Sequence, residues 1–443
     1  MPDVLCLDVG STCTKAVLVG ADGSVRGTAE TPTTRETDVL DGCDVLAERL
    51  GAEPGTRRLA SSSAGGGLRL AVVGYERQVT AEAGHRVGLS AGAKVVHVAS
   101  GRLDDAEVRA LDQALPDLLL LVGGTDGGNA DVLRHNAARL ARAALGVPIV
   151  VAGNVDAQDE VAAVLRHAGQ PVRVADNVVP AIGLINPASA RSAIRSTFLD
   201  HVIGGKGLSS SAAFRQMVRA PTPDSMLRGV EVTAAVLGTD LLVVDVAGAT
   251  TDVYSVVKQD AEEASPRKDV VGTLWSARTV EGDLGVRWNA VEVVEAAARE
   301  RIPVASGLHR YATTVARDPA HLPSSDEEMT LDLHLATIAA LVAVRRHGRP
   351  GAPGQSPRPL GDVGVVLGSG GVLRHANANR GMRVPAAVAG DHAGGWRVPR
   401  AVRTGVDVAY LLFAVGLLAE ESPELAETLA RTLARSQMLG GPE

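Results

Sequence analysis

The feature that most constrains this chain is an arrangement it uses twice. Residues 7–20, LDVGSTCTKAVLVG, set an aspartate, a glycine and a Ser/Thr/Lys cluster between two apolar runs. From residue 241, LLVVDVAGATTDVYSVV repeats the order of apolar strand, Asp/Gly/Thr turn and second strand. Apolar runs split by a glycine-bearing turn read as hairpins. The repeat places Asp8 and Asp245 at matching points, and predicts two domains of related build over residues 1–235 and 236–443. A length of 443 residues accords with two domains at about 100–200 residues each.

Between the repeats, apolar runs bounded by glycine alternate with helical patterns, the signature of α/β layering. RLASSS, LRLAVVG, DLLLLV, VPIVVAG and PVRVA read as strands, with helices over residues 41–50, 130–145 and 158–167. An inserted subdomain fits that many strands. Residues 347–361, HGRPGAPGQSPRPLG, are too rich in Pro and Gly to hold a regular element and read as a surface loop.

Composition removes several function classes. A net charge of −7 with no basic run argues against nucleic acid, which needs clustered Lys and Arg to displace counterions. The nearly apolar segments 333–344 and 406–419 fall short of the roughly 18 residues needed to cross a bilayer, and read as core helices. No charged and apolar leader pattern precedes the first strand, so the cytoplasm is the expected compartment. Cys6, Cys13 and Cys43 form no CxxC pair and read as small buried hydrophobes. The histidines show no HExxH pattern, and a lone one such as His97 or His334 reads as structural.

The turns carry the chemistry. A hairpin turn holding Gly10, Ser11 and Thr12 can aim several backbone N–H groups into one concavity, which favours anions, and Thr12, Thr14 and Lys15 add donors. Asp8 at the strand end would repel a phosphate unless a divalent cation lay between them, so it predicts Mg²⁺. Read alone, this stretch also fits a plain surface hairpin. The second turn repeats the chemistry with Asp245, Gly248, Thr250 and Thr251, where Asp245 could hold metal or orient a water. A third, VVLGSGGVLRH, brings Gly368, Gly370 and Gly371 between a strand and a helix, suited to close approach by a base or phosphate. Neither GxxxxGK[ST] nor a correctly placed GxGxxG is present. In LLLLVGGTDGGN, Gly124 and Asp126 fit either close backbone approach to a ligand or a tight turn needing positive φ with Asp126 as a cap. Ser61–Ser63 before Gly65–Gly67 leave the same choice open, and GLSSSA reads as a helix cap.

These three turns in this order resemble the actin-like ATPase superfamily, with LDVGSTCTK similar to its first phosphate motif, DVAGATTD to its second and LGSGGVLR to its adenosine motif. Ala247 stands where that superfamily usually has glycine. ASSSAGGGLRLAVVG, TAEAGHRVGLSAGAKV, LLLLVGGTDGGN and TVEGDLGVRWNA together narrow the match, and over nearly the whole chain it resembles the glutamate mutase L family. The resemblance implies two actin-like (ribonuclease H-like) domains around a nucleotide cleft, with inserted subdomain elements. It implies an ATPase using ATP and Mg²⁺, with an adenosylcobalamin-dependent mutase as client, whose damaged cobalamin it helps to exchange. A small-molecule kinase of the same fold and an ATP-binding scaffold without turnover are the alternatives. An iron–sulfur activator lacks its cysteine ligands.

Overall fold

Each hairpin forms because a short turn joins two strands that are apolar on their buried positions. β1 (Val4–Val9) pairs antiparallel with β2 (Cys13–Val19), and β2 with β3 (Val25–Pro32). β4 (Arg57–Ser62) then lies parallel beside β1. The computed structural model describes residues 2–257, 275–350, 357–376, 378–392 and 402–437.

From Leu68 the chain leaves this sheet and builds another: β5 (Leu68–Gly74), β6 (Ala93–Ser100), β7 (Leu118–Leu121), β8 (Ile149–Val151) and β9 (Val172–Val174). All pair parallel, in the order β6-β5-β7-β8-β9. Parallel strands need crossovers, and helices such as Thr80–Ser90, Asp131–Ala143 and Val155–His167 supply them. The run LLLL is buried on both faces: Leu118 and Leu120 join the core shared with β1 and β2, while Leu119 and Leu121 join a second core with Leu133, Leu140 and Val161. β10 (Val218–Pro221) then returns to the first sheet, beside β4.

The second half starts the pattern again. β11 (Asp240–Val246), β12 (Thr251–Val256) and β13 (Ser276–Glu281) form an antiparallel meander, with β14 (Val363–Ser369) parallel to β11 and β15 (Arg403–Val406) parallel to β14. The sheets therefore read β3-β2-β1-β4-β10 and β13-β12-β11-β14-β15, one order used twice. The molecule is an α/β protein with one sheet order used twice and an inserted parallel sheet. Two compact units meet in sequence between Met226 and Leu227, inside the helix Thr222–Leu237.

The core of the second unit is built on the helix Asp326–Gly348, whose Ala336, Ala339, Ala340 and Ala343 are fully buried. Its start is fixed by Ser325, which accepts from Glu328 N at 3.2 Å, while Glu328 accepts from Ser324 N at 2.8 Å. This helix corrects one expectation. His347 and Gly348, expected in a surface loop, close the helix and are buried, because hydroxyls on β12 and β13 bond the His347 ring. Residues 351–356 of that stretch lie outside the described residues. The expected helix over 406–419 is also shorter: β15 ends at Val406, and helix begins only at Leu412 because Asp407 accepts from Leu411 N and Leu412 N. Residues 333–344 do lie within a helix, and among the described residues no helix is long and apolar enough to cross a membrane.

Candidate functional site

The first hairpin is tight at the position where glycine was expected to matter. Gly10 N donates to Cys13 O at 3.2 Å, and a Cβ on Gly10 would lie 2.6 Å from that oxygen. Asp8, one pleat before the turn, pairs across the hairpin with Lys15 and across the parallel side with Ser61. It is only 2 % exposed, and its Oδ1 accepts from Ser61 Oγ at 3.2 Å and Thr222 Oγ1 at 2.5 Å. Ser11 Oγ donates to Ser63 O at 3.2 Å, which brings the Ser61–Ser63 segment against the turn. Thr14 is buried with its hydroxyl 3.0 Å from that of Thr33, which donates to Gly10 O at 2.8 Å. Thr12 stays exposed at the tip.

The second hairpin is held from outside by the segment containing GDLGVRWN. Val286 N donates to Ala247 O, and Arg287 N and Trp288 N both donate to Gly248 O, at 3.1, 2.9 and 3.0 Å. Asn289 Nδ2 bridges Ala249 O and Gly282 O at 2.9 and 2.6 Å. A Cβ on Gly285 would lie 2.3 Å from Ala249 C, so glycine lets this segment close on the turn. Arg287 packs against Gly248 and is fixed by two bonds to Asp332, at 2.7 and 3.0 Å. Ala247 needs no glycine, since it is not among the residues with positive φ.

Asp245 faces Asp252 across this hairpin. Two carboxylates so placed would repel, but Asp252 is neutralised by buried Arg278, whose Nε donates at 2.7 Å. Thr250 Oγ1 donates to Asp252 Oδ2 at 3.0 Å and buried Thr251 Oγ1 to Leu284 O at 2.6 Å, so both hydroxyls shape the hairpin. Burial raises Tyr254, two residues along the strand from Asp252, well above the usual phenol value.

The glycine turn follows β14 and sits against the second hairpin. Gly370 has φ +105°, and a Cβ there would fall 2.0 Å from Val246 O. Gly368 packs against Leu373, while a Cβ on Gly371 would meet nothing within 4 Å. The following helix is brief, Gly371–His375. Ser369, between the glycines, pairs in register with Asp245. It is 0 % exposed, and its hydroxyl has no hydrogen-bond partner among the described residues, a state that costs roughly 1–3 kcal/mol.

Gly124 and Asp126 lie on the inserted sheet rather than the one carrying Asp8, in the loop after β7. Gly123, Gly124 and Gly127 all have positive φ, as the tight-turn reading requires. Asp126 accepts from Val155 N at 3.1 Å, a cap on the helix Val155–His167, and from Asn177 Nδ2 at 2.7 Å. Gly127 N donates to Asp156, and Asn154 Nδ2 to Thr125 O and Gly128 O. Gly65–Gly67 also share positive φ, and Ser211 caps the helix Ala212–Met217 as GLSSSA suggested.

Sequence reasoning missed Thr222, Arg278, Asp332 and Ser369. Thr222 was readable as the start of a helix in TPD, but its contact with Asp8 needed β10, too short to stand out in MVRAP. Ser369 sat inside the quoted GSGG and was passed over for its glycines. Cys6 and Cys43 are buried as expected, and burial pushes both thiols up to about 12, whereas Cys13 is only half-buried, its Sγ donating to Thr31 O at 3.2 Å. Among the described residues no cluster of three or more His, Cys, Asp or Glu could hold a metal.

A family model described as MutL protein matches residues 4–433. A protein called MutL from Clostridium tetanomorphum is 36 % identical over 465 residues, covering 96 % of this chain and 98 % of that one. Similar solved structures include acetone carboxylase without nucleotide, at 14 % identity and TM-score 0.41, covering 94 % of this chain and 70 % of that one. A ligand-bound xylulose kinase from Lactobacillus acidophilus has 12 % identity and TM-score 0.37, covering 100 % and 93 %.

Proposed function

The chain belongs to the MutL protein family, the glutamate mutase L family its motifs resemble, and from that premise we propose that it is an ATP-dependent reactivating factor for an adenosylcobalamin-dependent mutase. The observation that carries this reading is the duplicated strand-end aspartate, Asp8 and Asp245, each followed by a tight Gly/Thr hairpin in a sheet of the same order. In this reading the backbone N–H groups of Ser11 and Thr12 and the Lys15 ammonium hold phosphate oxygens, while Gly10, expected among the phosphate donors, spends its own N–H on Cys13 O and shapes the turn. Gly248 and its neighbours do the same from the second hairpin, while Thr14, Thr250 and Thr251 act from behind by fixing the turns. Asp8 and Asp245 would hold Mg²⁺, which would offset the phosphate charge, and Asp245 would orient the attacking water. Gly371 leaves room for the adenosine end, while Gly368 and Gly370 serve it by letting Leu373 and Val246 pack against the turn. The partnerless Ser369 hydroxyl and the open space at Gly371 support the fit.

Bound ATP supplies a γ-phosphate, and hydrolysis removes it. Moving a two-state equilibrium from 1:99 to 99:1 takes about 5.5 kcal/mol of differential binding. A hydrogen bond to a charged group contributes roughly 1.5–3 kcal/mol, so two to four contacts made only with ATP suffice. The surface altered on hydrolysis loosens the client so that inactive cobalamin leaves.

The test is a mutase blocked with inactive cobalamin, incubated with this protein and ATP or a non-hydrolysable analogue. ATP alone should restore activity, and Asp8→Ala and Asp245→Ala should each lose phosphate release and reactivation together. Full ATP turnover by either variant contradicts its assigned role. Phosphate transfer to a small acceptor, with none released to water, would favour a kinase instead.

A further inference from the structure

Ser369 closes β14 beside Asp245, at the register position that Ser61 holds beside Asp8. In-register neighbours on parallel strands send their side chains to one face. In the first unit that geometry makes a bond, with Ser61 Oγ donating to Asp8 Oδ1, and Thr222, directly after β10, adds a second hydroxyl to the same oxygen. In the second unit the same positions turn out differently. Ser369 is fully buried, yet its hydroxyl meets no partner among the described residues. The residue directly after β15 is Asp407, and its two carboxylate oxygens accept from Leu411 N and Leu412 N at 2.7 and 3.0 Å, so it serves the helix start.

Folded chains rarely keep a buried hydroxyl unsatisfied unless water or a ligand completes it. The surroundings favour a ligand. Gly370 can carry no side chain, since a Cβ would strike Val246 O, and at Gly371 a Cβ would meet open space. The open space lies two residues along the turn from the buried hydroxyl.

We propose that the Ser369 hydroxyl is a ligand contact, donating to an anionic oxygen of a magnesium-bound phosphate group held next to Asp245. A serine hydroxyl can turn its proton toward such an oxygen, and the cation removes the repulsion that a bare phosphate would feel from Asp245. The inference rests on the nucleotide reading above, and assigns a contact to the hydroxyl that reading left without one.

The experiment compares Ser369→Ala and Ser61→Ala with the wild type by thermal unfolding without ligand, and by calorimetric binding of a non-hydrolysable ATP analogue with magnesium. Ser369→Ala removes a hydroxyl the fold does not use, so its melting temperature should match or exceed that of the wild type. Its affinity should fall about 10- to 100-fold. Ser61→Ala breaks a formed bond and should melt lower. Undiminished affinity in Ser369→Ala overturns the contact while leaving the nucleotide reading intact, and assigns the hydroxyl to water. A melting loss equal to that of Ser61→Ala overturns it by giving the hydroxyl a partner in the protein. A wild type that does not bind the analogue sinks the nucleotide reading itself, and the contact with it.

Discussion

Replacing Gly370 by alanine tests how the glycine turn is built. Two costs add. At φ +105° an alanine pays a backbone penalty of about 1–3 kcal/mol. Its Cβ would also lie 2.0 Å from Val246 O, 2.7 Å from Val246 C and 3.0 Å from Val246 N, all backbone atoms that no rotamer change can move. Relief requires β11 and the turn to separate, and overpacking of this kind costs roughly 1–3 kcal/mol. The sum is about 2–6 kcal/mol, a large part of the roughly 5–15 kcal/mol that holds a domain together. Gly371→Ala is the control: its φ is not in the positive range and its Cβ would meet nothing within 4 Å, so it should stay within about 0.5 kcal/mol of wild type. Urea unfolding followed by tryptophan fluorescence reads the right part of the chain, since Trp275 and Trp288 both belong to the second unit. Trp288, 61 % exposed, bonds the second hairpin directly. A Gly370→Ala midpoint indistinguishable from wild type, or an equal loss in Gly371→Ala, would refute the close approach of the turn to β11.

His347 predicts a pH dependence. Burial first, and the Arg358 charge second, hold its imidazole well below the ordinary 6.5, and as a neutral ring it meets the hydroxyls of Ser255 and Thr279 at 2.8 and 2.9 Å. With the folded pKa below the unfolded one, the unfolded state binds the extra proton. Stability is therefore full above about pH 6.5 and falls as the pH drops below it, by up to roughly 1.4 kcal/mol per unit. His347→Gln should flatten the urea midpoint of the second unit between pH 7 and 5; an unchanged slope would assign the effect elsewhere. Arg278→Met should cost about 3–5 kcal/mol by stranding the Asp252 carboxylate, and adding Asp252→Asn should recover much of it. A double-mutant cycle with coupling near zero would show that the pair is not what neutralises Asp252.

Much of the frame was legible because local patterns carried it. The two hairpins announced themselves through five- to seven-residue apolar runs about a glycine turn, and Asp8 and Asp245 fell at equivalent places because the pattern around them recurs. Gly10 and Gly370 were readable as glycines with a purpose, since close approach and positive φ leave few other choices. The loop around Asp126 was readable as two alternatives, and its carboxylate bonds Val155 N and Asn177 Nδ2, at the start of a helix other than the one its own strand leads into.

The remainder depended on contacts between distant residues. His347 looked like loop because its neighbours in sequence are Pro and Gly, yet hydroxyls 92 and 68 residues away hold it in a buried helix end. Thr222 reaches Asp8 across 214 residues, Arg278 neutralises Asp252 from the next strand, and Ser369 gains meaning only beside Asp245. By itself the sequence determined many of the strands, but not β6, β10, β13 or β15, and it determined where the chain must turn tightly and that one design was used twice, because periodicity and glycine sterics act over a few residues. Only the tertiary structure decided which hydroxyls and charges are spent on the fold and which are not, because that depends on which strands become neighbours, and strand order is written in no single stretch of chain.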